Sequence, residues 1–168
     1  MKRSALLDKR IWTESPERFY ALEGMARENL EGLSLLYPNF LHWYESKVVP
    51  GLLTGERKIL LREAGGRLAG LAIVKDTEDE KKLCCLRVMP DFKGSGIGLK
   101  LFDESFELLK SDKPLLTIAE EQLPQFGKIF EHFGFEVGDK YQDIYRRNKA
   151  EYSYNGLLLQ YEDNIEKI

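Results

Sequence analysis

Lys82-Leu83-Cys84-Cys85-Leu86-Arg87-Val88-Met89-Pro90-Asp91-Phe92-Lys93-Gly94-Ser95-Gly96-Ile97-Gly98-Leu99-Lys100-Leu101-Phe102 is the stretch from which the rest of the chain is read. It opens as a short, mostly apolar strand. Pro90 ends that strand, because it has no ladder donor and restricts the residue before it. A glycine-rich loop follows, and Ile97 starts an amphipathic helix running to Lys110. Lys100, Asp103, Glu104, Glu107 and Lys110 make its polar face, and Ile97, Leu101, Phe102, Phe106, Leu108 and Leu109 a broad apolar stripe. Strand, glycine loop and helix together present bare backbone N–H groups to a phosphate. The first-turn amides lack an intrahelical acceptor, and the helix dipole adds partial positive charge there.

The glycine spacing sorts the known phosphate loops. Gly94, Gly96 and Gly98 read G-x-G-x-G, so the dinucleotide pattern G-x-G-x-x-G fails at Leu99. The Walker pattern fails as well, since Lys100 follows Leu99 rather than Gly and precedes Leu101 rather than Ser or Thr. What remains is Lys93-x-x-Gly96-x-Gly98 after Val88-x-Pro90. It resembles the pyrophosphate loop of the GNAT superfamily of acetyl-CoA-dependent N-acyltransferases, Arg/Gln-x-x-Gly-x-Gly/Ala, with Lys93 in place of Arg or Gln. A glycine-rich turn serving only close packing is the plainer alternative.

A second segment, Ile129-Phe130-Glu131-His132-Phe133-Gly134-Phe135, is similar to the closing motif of that family, roughly Asn-x-x-Ala-x-x-Leu-Tyr-Glu-x-x-Gly-Phe. Glu131, Gly134 and Phe135 match; Leu123 replaces the Asn, Phe126 the Ala and Phe130 the Tyr. Two motifs in the family's order are far more specific than either alone.

The remaining chain fits around them. A short strand is expected near Leu6–Thr13. Ser15-Pro16-Glu17 starts a helix with the stripe Phe19, Leu22, Ala26 and Leu30. Pro38 opens a second helix carrying Phe40, Trp43, Tyr44 and Val48, expected to end at Pro50-Gly51. Arg57–Arg62 and Leu68–Lys75 read as strands about a tight Ala64-Gly65-Gly66 turn, with Gly70 a bulge or a close backbone approach. After the charged turn Asp76–Lys82 comes the strand Leu83–Met89. Pro114–Ala119 reads as its parallel partner, the glycine-loop helix being the crossover. A helix over Leu123–His132, capped by Gly134, and a hairpin about Arg147-Asn148-Lys149 complete the order. The tail 157–168 reads as a docking strand or helix.

Composition bounds the function. With 168 residues, 43% hydrophobic and 32% charged, the chain reads as one soluble domain over 1–168, with core motifs at 55–155 and N-terminal helices at about 15–50. No apolar run approaches the ~20 residues that span a bilayer, and the short N-terminal one does not make a signal peptide, so a cytoplasmic, membrane-free protein is expected. A net charge of −3 argues against a nucleic-acid partner. Cys84 and Cys85, the only cysteines, are expected on opposite strand faces as small structural residues. With two histidines the chain offers no zinc cluster.

The resemblance implies a mixed α/β (α+β) fold: a mostly antiparallel sheet with a central, splayed parallel pair of strands and helices on both faces. It implies acetyl-CoA as co-substrate, without a metal, lying in the V between strands 83–89 and 114–119. Its pantetheine would pair along Leu86–Val88, and its pyrophosphate would lie on the backbone of Lys93, Gly94, Ser95, Gly96, Ile97, Gly98 and Leu99, with Phe130 beside the cofactor. Family members commonly protonate the departing thiolate with the Tyr that Phe130 replaces here, so Tyr141 and Tyr145 are the substitutes to consider. Glu120, with Glu121, follows strand 114–119 at the mouth of the V and ranks first as base. Glu80, with Glu78, precedes strand 83–89, where some members carry a catalytic Glu. Each also reads as an ordinary solvated acid or structural tyrosine. His42, Trp43, Tyr44 and Glu45 would lie on the acceptor side. The expected activity is acetyl transfer to a primary amine of a small molecule, amino acid or protein. The alternative is an acyl-CoA-binding regulatory module with little turnover, and a homodimer is kept as one option for assembly.

Overall fold

A computed structural model describes residues 2–158; most of the 157–168 tail lies outside these. Strands β1 (Lys2–Leu7), β2 (Arg57–Ala64), β3 (Arg67–Asp76) and β4 (Lys81–Val88) form an antiparallel sheet in that order. The β2–β3 turn places Gly65 and Gly66 at φ 59° and 73°, the left-handed pair a two-residue hairpin requires. The strand expected near Leu6–Thr13 is corrected: β1 ends at Leu7, and Asp8 caps a helix, α1 (Lys9–Glu14), by accepting from Ile11 N at 3.1 Å.

One face of this sheet is covered by α1, by α2 (Pro16–Leu30) and by a continuous helical run. The run comprises α3 (Phe40–Trp43), a π turn (Tyr44–Val48) and α4 (Val49–Thr54). Pro50 does not end it, contrary to expectation: the run carries through the proline directly after the π turn, where Val49 N donates to Tyr44 O and the ladder is already irregular. The end comes at Gly55, φ 92°. Phe19, Ala26, Leu30, Phe40, Tyr44, Val48 and Leu52 bury themselves against Ile59, Leu61, Leu71 and Ile73. The opposite face carries α5 (Ile97–Leu109), whose Ile97, Leu101 and Phe102 pack on Leu60, Ala72 and Val74. Gly70 allows this contact. A Cβ there would lie 2.8 Å from Arg87 O, 2.8 Å from Leu101 Cδ1 and 3.1 Å from Ile97 Cγ2.

A second antiparallel sheet, in the order β5-β7-β6, comprises β5 (Leu116–Ala119), β6 (Val137–Gln142) and β7 (Ala150–Tyr154), with α6 (Leu123–His132) between β5 and β6. Phe126, Phe130, Phe133 and Phe135 join Phe102, Phe106 and Tyr154 in one aromatic cluster between α5 and this sheet. Among the described residues the sheets pair only through a parallel bridge. Leu83 N donates to Leu115 O at 2.9 Å, and Leu115 N to Lys81 O at 3.0 Å. Beyond it β4 and β5 part company. The expected parallel pair is therefore joined at its base and open above.

The parting begins where β4 is irregular. Its register against β3 jumps at Ile73/Val74, leaving Cys84 as an extra residue between Leu83 and Cys85. This corrects the expectation that the two cysteines face opposite sides. The bulge breaks the alternation, and both pack against the cluster under α2 and α3; both are free thiols.

Candidate active site

The opening between β4 and β5 is a cleft of about 110 Å³. Leu83, Cys84, Cys85 and Leu86 form one wall, and Leu116, Thr117 and Ile118 the other. Phe102 and Phe126 close it on the α5–α6 side; Leu33, Tyr37, Phe40 and Trp43 close it on the side of the N-terminal helices. The cleft thus lies between two helical layers.

The bulge also decides what the β4 wall offers. Met89 N donates to Ala69 O at 2.9 Å, so Met89 belongs to a hydrogen-bonded pair with β3. In an antiparallel ladder such pairs alternate. Counting back, Arg87 and Cys85 turn their backbone groups to β3, while Val88 and Leu86 turn theirs to the open edge. Without the extra residue, the contact of Leu83 with Leu115 would have set the opposite parity.

At the upper end of β4 the chain passes through a 3-10 turn (Pro90–Phe92) into the glycine loop. Gly94 and Gly96 adopt φ 75° and 81°, and no atom lies within 4 Å of where their Cβ would stand. The hydrogen-bond ladder of α5 starts with Lys100 N donating to Gly96 O at 3.2 Å, so the amides of Ile97, Gly98 and Leu99 precede it. Ser95 Oγ bonds Phe92 O, and the Lys93 side chain is exposed. A bare loop, unladdered amides and an exposed cation fit a pyrophosphate.

The remaining sequence candidates separate clearly. Glu120 lies at the exit of β5, its carboxylate 3.4 Å from Lys149 Nζ. Glu121 is forked by Arg146 at 2.6 and 2.7 Å, and hydrogen bonding from that guanidinium lowers its pKa to about 2. Glu80 stands beside the bridge that closes the V, buried and paired with Lys75 at 2.9 Å, so it is remote from the mouth. Tyr141, on the outer strand β6, accepts from Leu158 N at 3.1 Å. Tyr145 is buried edge-on to Tyr37, ring centroids 5.3 Å apart. Phe130 is 3% exposed within the aromatic cluster, and it is Phe126, one turn earlier, that reaches the cleft. Of the four residues expected on the acceptor side, Trp43 lines the cleft, Tyr44 is core, Glu45 pairs with Arg27 at 2.6 Å, and His42 is exposed.

Three residues that sequence reasoning passed over belong to this region. Tyr37 lines the cleft and donates to Glu151 Oε1 at 2.8 Å. Glu151, only 3% exposed, stands on β7 opposite Ala119, the residue before Glu120. Burial first, then the Glu151 charge, pushes the Tyr37 hydroxyl well above the usual tyrosine range, so it remains a donor. Arg87 extends from β4 to lie against Gly32: a Cβ there would come within 2.9 Å of both terminal guanidinium nitrogens. Its Nη1 is buried without a hydrogen-bond partner. The face taken by Arg87 follows from the register of β4 on β3, and Tyr37 and Glu151 are 114 positions apart with no local pattern to join them.

Residues 38–144 match the family model described as the acetyltransferase (GNAT) domain. No protein of curated function matches the sequence. Among solved structures, the ribosomal-protein-S18-alanine N-acetyltransferase of Escherichia coli superposes with a TM-score of 0.64 at 16% identity, over 92% of each chain. An acetyltransferase of Bacillus subtilis in complex with CoA gives 0.53 at 16%, over 72% of this chain and 92% of that one. Nourseothricin acetyltransferase gives 0.53 at 17%, covering 60% of this chain and 65% of its own. At these identities the structural likenesses bear on the fold.

Proposed function

The chain belongs to the GNAT acetyltransferases, and from that premise we propose that it carries the acetyl group of acetyl-CoA directly to a primary amine of a small molecule, amino acid or protein. The observation that carries this reading is the V itself: strands joined at Lys82/Leu115, an open β4 edge above, and a glycine loop at the end of that edge. The outward backbone groups of Leu86 and Val88 would pair with the pantetheine amides. The amides of Gly94 and of residues 96–99, with the Lys93 charge, would hold the pyrophosphate, where the start of α5 adds its dipole; Lys93 N and Ser95 N already donate to Pro90 O and Phe92 O and shape the loop. The Val88 region would also supply a hydrogen bond to the thioester oxygen.

The acceptor would enter from the Tyr37–Trp43 side and attack through a neutral nitrogen. A C–N bond forms and the C–S bond breaks. The ammonium gives up one proton to a base before attack and a second as the amide forms; one proton ends on the departing thiolate, and the amide keeps one N–H. A thiol pKa near 8.5 lets that group depart without a strong acid, which suits a chain with Phe at 130. Much of the rate would come from holding two already reactive groups together. Glu120 is our first candidate for the proton-accepting carboxylate.

Calorimetry with acetyl-CoA, followed by free-thiol release across a broad amine panel, tests the reading. We expect binding, turnover with at least one amine, and a tenfold or larger loss of affinity in Gly96→Val, about 1.4 kcal/mol. That variant combines a side chain in the cradle with strain at φ 81°, so its fold is checked by circular dichroism. Unchanged affinity in a folded variant removes the loop from the cofactor site.

A further inference from the structure

Two charged groups of opposite sign border the acceptor side of the cleft: Arg87 next to the lining residue Leu86, and Glu151 behind the lining residue Tyr37. Arg87 points to the face covered by the N-terminal helices, as Leu71 opposite it does. Its guanidinium rests on the backbone of Gly32, in the 3-10 turn Glu31–Leu35, where any side chain would intrude on it. No ion pair or hydrogen bond to the Arg87 side chain occurs among the described residues, and its Nη1 is shut off from solvent. A half-buried guanidinium has five donors and gives up hydration to sit there; this one stands behind the cleft wall, between Leu86 and Leu33, which line it, so its orphaned donor can receive an anion that enters from the cleft. Five residues after Gly32, the same segment supplies Tyr37, which ties the buried Glu151 carboxylate to the cleft wall. Cys85, two positions before Arg87 on the strand, lies close enough to Tyr37 to act on it electrostatically. Both charged groups therefore flank the same stretch of β4.

We propose that the acceptor is a small amine that also bears a carboxylate, its carboxylate received by Arg87 and its ammonium entering on the Tyr37–Glu151 side. This rests on the acetyl-transfer reading above and narrows it to amino-acid-like molecules, as against protein N-termini or lysine side chains, which offer no neighbouring carboxylate. The pairing of the carboxylate with Arg87 would orient the nitrogen toward the thioester. A fork-shaped donor set discriminates strongly against an acceptor that leaves it unpaired.

The experiment compares free L-amino acids with their carboxamides as acceptors, in the wild type and in Arg87→Met, with acetyl-CoA affinity measured alongside by calorimetry. The wild type should favour the acid over its amide by tenfold or more in kcat/KM, mostly through KM. Arg87→Met should bring that ratio to near one while acetyl-CoA affinity stays within twofold, since the side chain is on the face away from the glycine loop. Arg87→Lys should keep part of the preference, which a purely structural role would not. The proposal is overturned if acid and amide react equally in the wild type, if Arg87→Met leaves their ratio unchanged, or if acetyl-CoA binds yet only carboxylate-free or peptide amines are acetylated. Failure to bind acetyl-CoA at all would instead strike the acetyl-transfer reading beneath it.

Discussion

Glu120 and Glu121 are sequence neighbours with different prospects. The Arg146 fork holds Glu121 ionised down to about pH 2, so it is a weak base at neutral pH. Glu120 has Lys149 alone at 3.4 Å and faces the exit of β5. Glu120→Gln should cost about 100-fold in kcat/KM, near 2.7 kcal/mol of barrier, and shift the acidic limb of the pH–rate profile; a change below threefold with an unmoved limb would dismiss it as base. For Glu121 the expectation concerns stability. Its folded pKa lies below the unfolded value near 4.3, so its contribution is full above that value and fades as pH falls toward 2. A side chain one-third exposed is well screened, which limits the effect to about 1 kcal/mol. Urea unfolding should therefore separate wild type from Glu121→Gln by that amount at pH 6–7, and the gap should close between pH 5 and 2. A gap that persists unchanged at pH 3 contradicts the ion pair as its source.

At the scale of elements, the glycine loop and the helix that follows it were legible because their signals are local: Pro90 stops a strand, and the spacing of Gly94, Gly96 and Gly98 selects one loop family. The helix start at Ile97 and the whole of Leu123–His132 agree with their periodicity. The bulge at Cys84 was not legible, since Leu83-Cys84-Cys85-Leu86 is uniformly apolar and carries no alternation to break. It is a property of the pairing with Ile73 and Val74. Pro50 misled for a related reason, because a proline in a helical stretch either ends it or is carried through it, here directly after a π turn, and the local sequence does not say which. Tyr37 with Glu151 is likewise a tertiary fact. Gly70 was expected to be a bulge or a close approach; the register break lies next to it at Arg62/Glu63, and the close approach is by α5. Gly70→Ala would press a methyl against Arg87 O at 2.8 Å, a backbone atom that cannot swing aside. Overpacking of this kind costs about 1–3 kcal/mol, and displacement of α5 should weaken acetyl-CoA binding as well. An unchanged unfolding midpoint would mean that α5 shifts freely over β3.

Across the whole molecule, the two sheets share a single point of strand pairing among the described residues, and the cleft is the gap left by that economy. Side chains from α5 and α6 fill one side of the joint with aromatic rings, and the N-terminal helices fill the other. A ligand that pairs with the open β4 edge and seats its phosphates on α5 would add the contacts the bare fold lacks, and it would do so at the joint. Acetyl-CoA at 100 times its Kd should stabilise the protein by about 2.7 kcal/mol. For a chain of this size that corresponds to a rise of about 5–10 °C in Tm. The gain should be local at first: hydrogen exchange in the opening minutes should slow at Leu86 and Val88, whose amides face the gap, and at Gly94 and residues 96–99 of the glycine loop. The amides of β1, at the far edge of the larger sheet, should be unaffected over the same interval. Because Arg87 and Cys85 already bond β3, the alternation 86, 88 against 85, 87 is the signature to seek. Protection that appears at 85 and 87 instead would place the bulge one residue away and the ligand on another edge.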